Sequence, residues 1–363
     1  MNTTTSKRKS IDSDVVTDAK QTKLRDVEIP ESLPPTCKVR NRYLDKLHHH
    51  PRDHCVFFDS GENGEVHDYY ADFVGDGKHF TSKNIKSVTS VIKAFFDEFD
   101  ADKIIQKMMN GKNWQKSKYF GKTPEEIKQG WNQNGQNARE RGTEMHDFID
   151  CYYNGEKTLD CIEESNVELC QFKGLLRELG DDLIPYRSEW FVFTDNETKV
   201  TGAVDMTFVD NKIMKQLWNK VQFGAEHPDT LHIVIYDWKR CKKITRYNAW
   251  EKGYGPVSHM HNANFYHYSL QLNLYKWILE KFYHNVTWNG NTYKNISIDL
   301  MYLCVMHPNQ KKHKLQRCPD YQEEIGEIMK LRAESVTCVE NNLPELFPFD
   351  KSQPNQEEVN YDF

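Results

Sequence analysis

An acidic residue and a lysine stand two positions apart at the end of an apolar run. Residues 233–236 read Ile-Val-Ile-Tyr, and Asp237, Trp238 and Lys239 follow them directly. On a β-strand successive side chains point to opposite faces, so Asp237 and Lys239 share one face. A carboxylate that could bind a metal ion would then lie beside an ammonium group. An isolated triplet of this kind is common by chance and is usually a strand leaving the core, so its neighbours must decide.

Three further short motifs accompany this triplet in a fixed order. They are Gly142 to His146 and Gly202 to Asp205 upstream, and Gln271 to Tyr275 downstream. Aspartate oxygens are hard ligands that suit Mg²⁺ or Mn²⁺, and an imidazole nitrogen moves the preference toward Mn²⁺. Taken singly, His146 would be a satisfied core residue, Asp205 a turn cap and Tyr275 ordinary core. Taken together, these residues indicate a metal centre that acts on a phosphodiester.

This ordered set resembles the RecB-type branch of the PD-(D/E)XK nuclease superfamily, which includes the mitochondrial genome maintenance exonuclease and, more distantly, lambda exonuclease. The resemblance covers residues 85–306. It implies an α/β fold with a restriction-endonuclease-like core, in which helices flank a mixed central sheet, and an N-terminal helical layer. It also implies a Mg²⁺ or Mn²⁺ cofactor and hydrolysis of DNA phosphodiester bonds by metal-activated water.

The resemblance implies a role for each motif residue. The implied metal ligands are His146, Asp205, Asp237 and the backbone carbonyl of Trp238. Lys239 would serve the attacking water or offset charge on the phosphorus, and it completes the catalytic set with the two aspartates. Glu189 matches a carboxylate on the preceding strand of the family and would join that set, touching the metal through water. Gln271 and Tyr275 are one helical turn apart, so they share a face that would look onto the DNA strand.

Two features depart from the family pattern. The gap from Asp205 to Asp237 is long where the family often has a short hairpin. We therefore expect residues 211–230 to form an inserted loop that contacts DNA or a partner. Arg240 follows the lysine, where a small hydroxyl residue is common, and it could add a phosphate contact.

Two basic strips could bind nucleic acid. One follows the triplet directly and contains Arg240, Lys242 and Lys243. Charge runs are usually solvated faces, but this one lies where a DNA backbone should pass, so phosphate contacts are favoured. The other strip consists of Lys112, Lys116, Lys118 and Lys122, with Trp114 and Tyr119 interleaved. Its rings could stack on unpaired bases or pack inward, and the sequence favours neither.

The elements that must position these motifs are first helical and then mixed. Apolar spacing predicts helices over residues 87–94, 100–110, 123–141, 143–153, 161–179 and 266–282. Thr123 and Pro124 supply the third helix with an N-cap and a first-turn proline, and Gly142 separates it from the fourth. Apolar, β-rich runs predict strands over residues 189–194, 199–209, 231–238 and 296–306. The third strand is nearly all apolar, which predicts a buried central position.

Composition bounds the remaining possibilities. The chain has 363 residues, a net charge of −6 and a pI near 6.2, so it lacks a global basic signature for nucleic acid. No apolar run is long enough to cross a membrane and no secretory leader is visible, which predicts a soluble intracellular protein. The nine cysteines are scattered and predict free thiols. The last three, Cys304, Cys318 and Cys338, are too widely spaced for an iron–sulfur cluster. His48 to His50 are expected to form a solvated cluster on the surface.

The polar ends of the chain predict disordered tails at residues 1–36 and 344–363, because they cannot bury enough apolar surface to order. One nuclease domain is expected at 37–343, with a helical part at 85–180 and a catalytic α/β core at 185–306. Lys7, Arg8 and Lys9 fit a nuclear-import patch in type, but a solvated tail is favoured. Nucleus and cytoplasm are therefore both open.

The function predicted is that of a DNA nuclease, in first place an exonuclease on single-stranded or free-ended DNA. Two alternatives are a structure-specific endonuclease on the same fold and an inactive member that serves as a DNA-binding or scaffold subunit. The presence of every expected catalytic group argues against the inactive form. DNA against RNA, the polarity and the oligomeric state are open at this stage.

Overall fold

The structure is a computed structural model that describes residues 30–343, except 39, 60, 62–67, 76 and 77. Residues 1–29 and 344–363, which hold most of the expected tails, lie outside the described part, as do Lys7, Arg8 and Lys9. The described strands are β1 (Cys37–Lys38), β2 (Val56–Asp59), β3 (Asp68–Ala71), β4 (Lys86–Ser87), β5 (Leu183–Phe193), β6 (Val200–Asp210), β7 (Thr230–Lys239), β8 (Val286–Trp288), β9 (Asn291–Tyr293), β10 (Asn295–Val305) and β11 (Lys314–Arg317). The described helices are α1 (Tyr43–Leu47), α2 (Val88–Lys93), α3 (Ala101–Met109), α4 (Pro124–Tyr153), α5 (Val167–Leu179), α6 (Asn211–Gln222), α7 (Asn264–Phe282) and α8 (Gln322–Glu340).

A mixed sheet forms the centre of the molecule. Strands β5, β6, β7, β10 and β11 lie side by side in that order, and β4 pairs in parallel with the start of β6. Strand β6 runs antiparallel to β5 and to β7, while β7 and β10 run parallel and are joined by α7. A parallel pair needs a crossover of this kind, because a tight turn can only reverse the chain. The α/β class with a mixed sheet flanked by helices is therefore confirmed.

Strand β7 is buried on both faces, as its continuous apolar run predicts. Ile233 and Ile235 belong to the core formed with α2, α7 and α8. Val234 and Tyr236 belong to the core formed with α4 and α5. Helices therefore cover both sides of the sheet at this strand, which explains why its sequence lacks polar alternation.

A small antiparallel sheet of β1, β2 and β3 precedes α2 in the chain. Its Val56 and Ala71 share a core with Phe193 at the end of β5. Within the expected N-terminal tail, Leu33 is buried in a cluster with Phe57. The sequence analysis did not predict this sheet, because its strands are too short to show alternation.

Helix α4 is continuous at Gly142, where the sequence predicted a break between two helices. It runs without interruption from Pro124 to Tyr153, with Thr123 as N-cap: the Thr123 side chain accepts the Glu126 N–H and the Glu126 side chain accepts the Thr123 N–H. A Cβ built on Gly142 would meet no atom within 4 Å, so no neighbouring helix needs the space there. One glycine costs a helix interior only about 1 kcal/mol, which a helix packed against the sheet tolerates.

Two further boundaries differ from expectation. Helix α5 begins at Val167 rather than at residue 161, because the Asn166 side chain caps it by accepting the Leu169 N–H. Strand β5 begins at Leu183, upstream of the expected residue 189.

The segment at residues 211–230 is largely a helix rather than the expected inserted loop. Asp210 caps α6 by accepting the Ile213 N–H at 3.0 Å. Met214 is buried in the main core, and Leu217 and Trp218 pack against it. These apolar residues at i, i+3 and i+4 form one helical face, so α6 covers the sheet.

Candidate metal centre

The candidate centre lies where β6 and β7 separate. Their ladder includes Met206 opposite Tyr236 and does not continue to the next pair of residues, Asp205 and Asp237. Beyond that point the Asp205 carboxylate replaces the missing backbone partner, since its Oδ2 accepts the Trp238 N–H at 2.8 Å. Strand β10 keeps pairing with β7 as far as Lys239. One edge of β7 is therefore fixed while the other opens beside the two aspartates.

His146 and Glu189 fill this opening. From α4, the His146 Nε2 lies 2.9 Å from the backbone carbonyl oxygen of Trp238. Its Nδ1 lies 3.2 Å from Glu189 Oε1 and 3.7 Å from Asp205 Oδ2. One ligand atom from each of these three side chains lies within 4.8 Å of the others. The structure thus brings His146, Glu189, Asp205 and the Trp238 carbonyl together.

Glu189 reaches the cluster through an unusual backbone conformation. Its φ is +43°, although it lies within β5. The β5–β6 ladder pairs Ser188 with Met206 and Trp190 with Val204, so Glu189 falls opposite Asp205. A left-handed residue other than glycine costs about 1–2 kcal/mol. The surrounding structure must therefore hold this turn of the strand in place.

Asp237 and Lys239 form an ion pair beside the cluster. The Lys239 Nζ lies 2.6 Å from Asp237 Oδ2 and 4.8 Å from the centre of the Tyr268 ring on α7. Apart from this ion pair, neither oxygen of Asp237 has a hydrogen-bond partner among the residues that the structure describes. The two side chains share a face of β7, as predicted. The three-residue cluster contains Glu189, whereas the sequence predicted Asp237 as the direct metal ligand beside His146 and Asp205.

The charged groups of the centre shift one another's pKa values. Burial acts to lower the pKa of His146, but the carboxylates of Asp205 and Glu189 outweigh it and raise that pKa to about 9. Burial raises the pKa of Asp205, and the His146 and Lys239 cations oppose it. Burial also raises the pKa of Asp237 to about 6 against the effect of Lys239. In this structure both ring nitrogens of His146 face acceptors, which suits an imidazolium.

The downstream motif forms one wall of the centre. Tyr268, Gln271 and Tyr275 lie on one face of α7 at helical spacing. Tyr275 is buried, its pKa is raised by burial and by the Asp205 charge, and its hydroxyl is hydrogen-bonded to Gln271. A Cβ on Gly202 would lie 2.9 Å from the Tyr275 hydroxyl oxygen. Glycine at this position therefore allows Tyr275 to pack directly on β6.

A buried network holds β5 on one side of Glu189. The Asp150 carboxylate on α4 accepts the Ser188 hydroxyl hydrogen at 2.6 Å and two hydrogen bonds from Arg40. Arg40 also donates to the Ser188 carbonyl oxygen at 3.0 Å. Burial alone would raise the pKa of Asp150, but Arg40 and its other partners hold it below its usual range. Because Asp150 is one turn beyond His146, the same helix face serves both residues.

A second buried network holds β5 at Arg187 and Trp190, on either side of Ser188 and Glu189. The Arg187 guanidinium, buried in the core, pairs with Asp53 at 2.7 Å and with Asp45 at 3.1 Å. Trp190 donates its ring N–H to the other Asp53 oxygen at 3.0 Å. The segment between β1 and β2 is thus bound, through Asp45 and Asp53, to the strand that carries Glu189. No sequence pattern indicated these ion pairs, whereas helical spacing from His146 and Gln271 could have identified Asp150 and Tyr268.

A groove of about 1000 Å³ lies between α4, the helix that carries His146, and the chain that follows Lys239 at the end of β7. Its lining contains the cations Lys118, Arg141, Arg240, Lys242 and Lys243 and the carboxylates of Glu140 and Glu144, so it is net positive. The first basic strip predicted from the sequence therefore shares one groove with Lys118 and Tyr119 of the second strip, whereas Lys112, Lys116 and Lys122 are not among its lining residues. Tyr119 lines it too, and its hydroxyl accepts a hydrogen bond from Trp131 at 2.8 Å. Arg240 is ion-paired with Glu168 on α5, so part of its charge is already compensated.

The expected surface histidines are partly internal. His48 and His50 are buried, and His48 lies against Tyr186 with 4.5 Å between ring centres. Burial lowers the pKa of His48 to about 4. The expectation of a solvated cluster is wrong for these two residues, because the Arg187 network draws their segment onto β5.

Comparison with known proteins adds no assignment. No protein-family model matches the chain, and a search of curated proteins finds no significantly similar sequence. Among the described residues, no helix combines the length and apolar character needed to span a membrane.

Proposed function

We propose that this protein is a metal-dependent DNA nuclease, acting as an exonuclease on single-stranded or free-ended DNA. One observation carries the proposal. His146, Glu189 and Asp205 converge next to the Asp237–Lys239 pair, and a groove of net positive charge lies between the helix that carries His146 and the chain that follows Lys239. Converging carboxylate and imidazole ligands can bind a divalent metal ion, and a metal ion with a lysine beside it can catalyse phosphodiester hydrolysis.

The chemistry of the donors fits Mg²⁺ or Mn²⁺. His146, Glu189, Asp205 and the Trp238 carbonyl offer one nitrogen and several oxygens, a set that hard divalent ions prefer. Asp237 supports the fit, since its buried oxygens have no partner beyond the Lys239 ion pair among the described residues. A bound ion would polarise a phosphodiester oxygen and acidify a water molecule. Ligation by His146 would require loss of the proton that its carboxylate neighbours favour.

Lys239 would act on the reacting phosphate. Its ammonium is held between Asp237 and the Tyr268 ring, so its position is defined before substrate arrives. An ammonium group donates hydrogen bonds and does not accept them. Lys239 would therefore orient the attacking water or offset charge that develops on the phosphate oxygens.

The groove would bind the DNA backbone. Lys242 and Lys243 are exposed on one side, and Lys118 lies among the lining residues contributed by the second strip. Cations in these positions would bind phosphates without reading sequence. This arrangement suits a nuclease that follows a strand rather than one that selects a site.

The test is cleavage of end-labelled linear single- and double-stranded DNA, with covalently closed circles as controls, in Mg²⁺ and in Mn²⁺. Wild type should degrade linear DNA only, and EDTA should abolish the activity. Lys239→Ala should lower the rate by about 100-fold or more, as loss of a single charge-stabilising donor does elsewhere. Lys215→Ala, an exposed lysine on α6, is the matched control and should keep full activity.

Each of the other outcomes would indicate a different function for this protein. Nicking of circular DNA would replace the exonuclease with a structure-specific endonuclease. Tight DNA binding without cleavage in either metal would identify a binding subunit. Full activity in Lys239→Ala would show that Lys239 and the proposed centre do not catalyse the cleavage. A parallel lane with single-stranded RNA decides the sugar preference.

A further inference from the structure

Two aromatic rings stand exposed on the loop between β7 and α7. Tyr247 is 70 % exposed and Trp250 is 80 % exposed. Large apolar side chains usually pack inward, so two exposed rings three residues apart on one loop need an explanation. The loop leaves β7 at Lys239, passes along the groove at Lys242 and Lys243, and then reaches both rings.

The loop is held in shape by its own hydrogen bonds. The Trp250 N–H donates to Asn248 Oδ1 at 3.0 Å, and the Asn248 amide donates to the Asn262 carbonyl at 2.9 Å. A Cβ on Gly253 would lie 2.7 Å from the Val257 backbone oxygen, so the chain is closely packed there. Two rings on an ordered loop form a fixed surface, which lowers the entropy lost on binding a ligand.

Cations lie on the same loop as the rings, and one lies over a ring. Lys242, Lys243 and Arg246 are exposed on this loop. The Lys107 Nζ on α3 lies 4.9 Å from the centre of the Trp250 ring. The nearest acid on the loop, Glu251, accepts hydrogen bonds from Asn248 and Asn262. Lysine is depleted at protein–protein interfaces, so rings set among lysines favour an anionic ligand that also has flat apolar faces.

We propose that Tyr247 and Trp250 bind the unpaired bases of a DNA single strand whose phosphates lie on Lys242 and Lys243. Every base has a π-face that can stack on an aromatic ring, so the contact tolerates any sequence. In a duplex those faces are covered by neighbouring base pairs, and only an unpaired strand can offer them. The inference rests on the proposed function and adds its substrate class: the strand that enters the groove is single.

The experiment measures binding without cleavage. Fluorescence anisotropy of a labelled 12-nucleotide oligothymidylate is followed in EDTA, with a blunt duplex of equal length in parallel. Trp250→Ala should weaken single-strand binding by about 5- to 100-fold, as loss of one stacked base does. Duplex binding should be unchanged, and Trp250→Phe should restore most of the affinity. Phe223→Ala removes a ring that is 90 % exposed at the end of α6, away from the loop between β7 and α7, and it should change neither.

Salt dependence separates stacking from charge. The slope of log affinity against log salt should be the same for Trp250→Ala as for wild type, because a ring contact releases no counterions. Lys242→Ala and Lys243→Ala should each reduce the slope by about 0.7. Equal loss on single strand and duplex in Trp250→Ala, or no loss on either, would overturn the proposal and point to a protein-binding surface.

The outcome is independent of hydrolysis. If the protein binds oligothymidylate through Trp250 but cleaves no DNA, this inference holds and the proposed nuclease activity is wrong. If the protein cleaves DNA but its single-strand binding does not depend on Trp250, the nuclease activity holds and this inference is wrong.

Discussion

Glu189 occupies a backbone conformation that only glycine adopts without cost. Its φ of +43° lies within a strand, where ordinary residues are extended. Strain of this kind persists only where neighbouring contacts over-determine the structure, and it concentrates at functional sites. Here the outlier places Glu189 opposite Asp205 and within 3.2 Å of His146. The local cost therefore serves the assembly of the carboxylate cluster.

A pair of substitutions at residue 189 measures this strain. Both Glu189→Ala and Glu189→Gly remove the carboxylate, but only glycine relaxes at a positive φ. We expect the glycine variant to unfold at higher urea concentration than the alanine variant, by about 1 kcal/mol of unfolding free energy. At an ordinary strand position the order is reversed, since glycine is less stable than alanine by about 0.5–1 kcal/mol. An alanine variant at least as stable as the glycine variant would show that no strain is stored there.

The close packing of Gly202 under Tyr275 gives a second residue-scale prediction. Gly202→Ala would place a methyl group 2.9 Å from the Tyr275 hydroxyl oxygen and should lower the unfolding free energy by about 1–3 kcal/mol. Gly130→Ala on α4, where a Cβ meets no atom within 4 Å, should instead stabilise by about 1 kcal/mol. Adding Tyr275→Phe to Gly202→Ala should recover part of the loss. Urea unfolding of the wild type and the three variants checks this, and equal effects of the two alanines would contradict it.

At the scale of elements, local signals predicted the strands and helices that carry the motifs. The N-cap at Thr123 and the apolar run of β7 each depend on adjacent residues, so the sequence shows them directly. The contacts that fix β5 could not be predicted, because Arg40 and Asp150 are 110 positions apart. Charged residues at that separation leave no periodic trace. The inward turn of Glu189 was hidden for the same reason, since the strain at Glu189 is held by contacts with distant elements.

The clamp on β5 should appear as an acid dependence of stability. The pKa of Asp150 is lowered in the folded state, despite burial, by Arg40 and its other partners. Its contribution is then complete above the unfolded pKa of about 4 and is lost as pH falls through the lower folded value. Asp150→Asn should lower the unfolding free energy by about 1.5–3 kcal/mol at pH 7 and flatten the decline between pH 5 and pH 3. Urea midpoints across this range test it, and Asp299→Asn on β10, whose partners are His232 and Ser297, is the control.

At the scale of the whole molecule, net charge and local charge point in opposite directions. The chain carries a net charge of −6, yet the groove between α4 and the chain that follows Lys239 contains more cations than carboxylates. Composition alone therefore argued against a nucleic-acid ligand, and only the three-dimensional arrangement of the two basic strips supports one. A basic groove on a chain of net negative charge would guide a polyanion to the groove, an effect that weakens as salt rises.

Binding of a divalent ion should stabilise the whole fold, because the ligands come from three separate elements. His146 lies on α4, Glu189 on β5 and Asp205 on β6, so an ion that binds them binds only the folded chain. Mn²⁺ at 100 times its dissociation constant should raise the unfolding free energy by about 2.7 kcal/mol relative to EDTA. The increase should vanish in His146→Ala and persist in His232→Ala, whose imidazole pairs with Asp299 at 2.7 Å. Urea unfolding with and without Mn²⁺ measures both, with no need for catalytic activity. An equal increase in the two variants would mean that the ion binds elsewhere, and the cluster would then be a set of charges balanced by its own histidine.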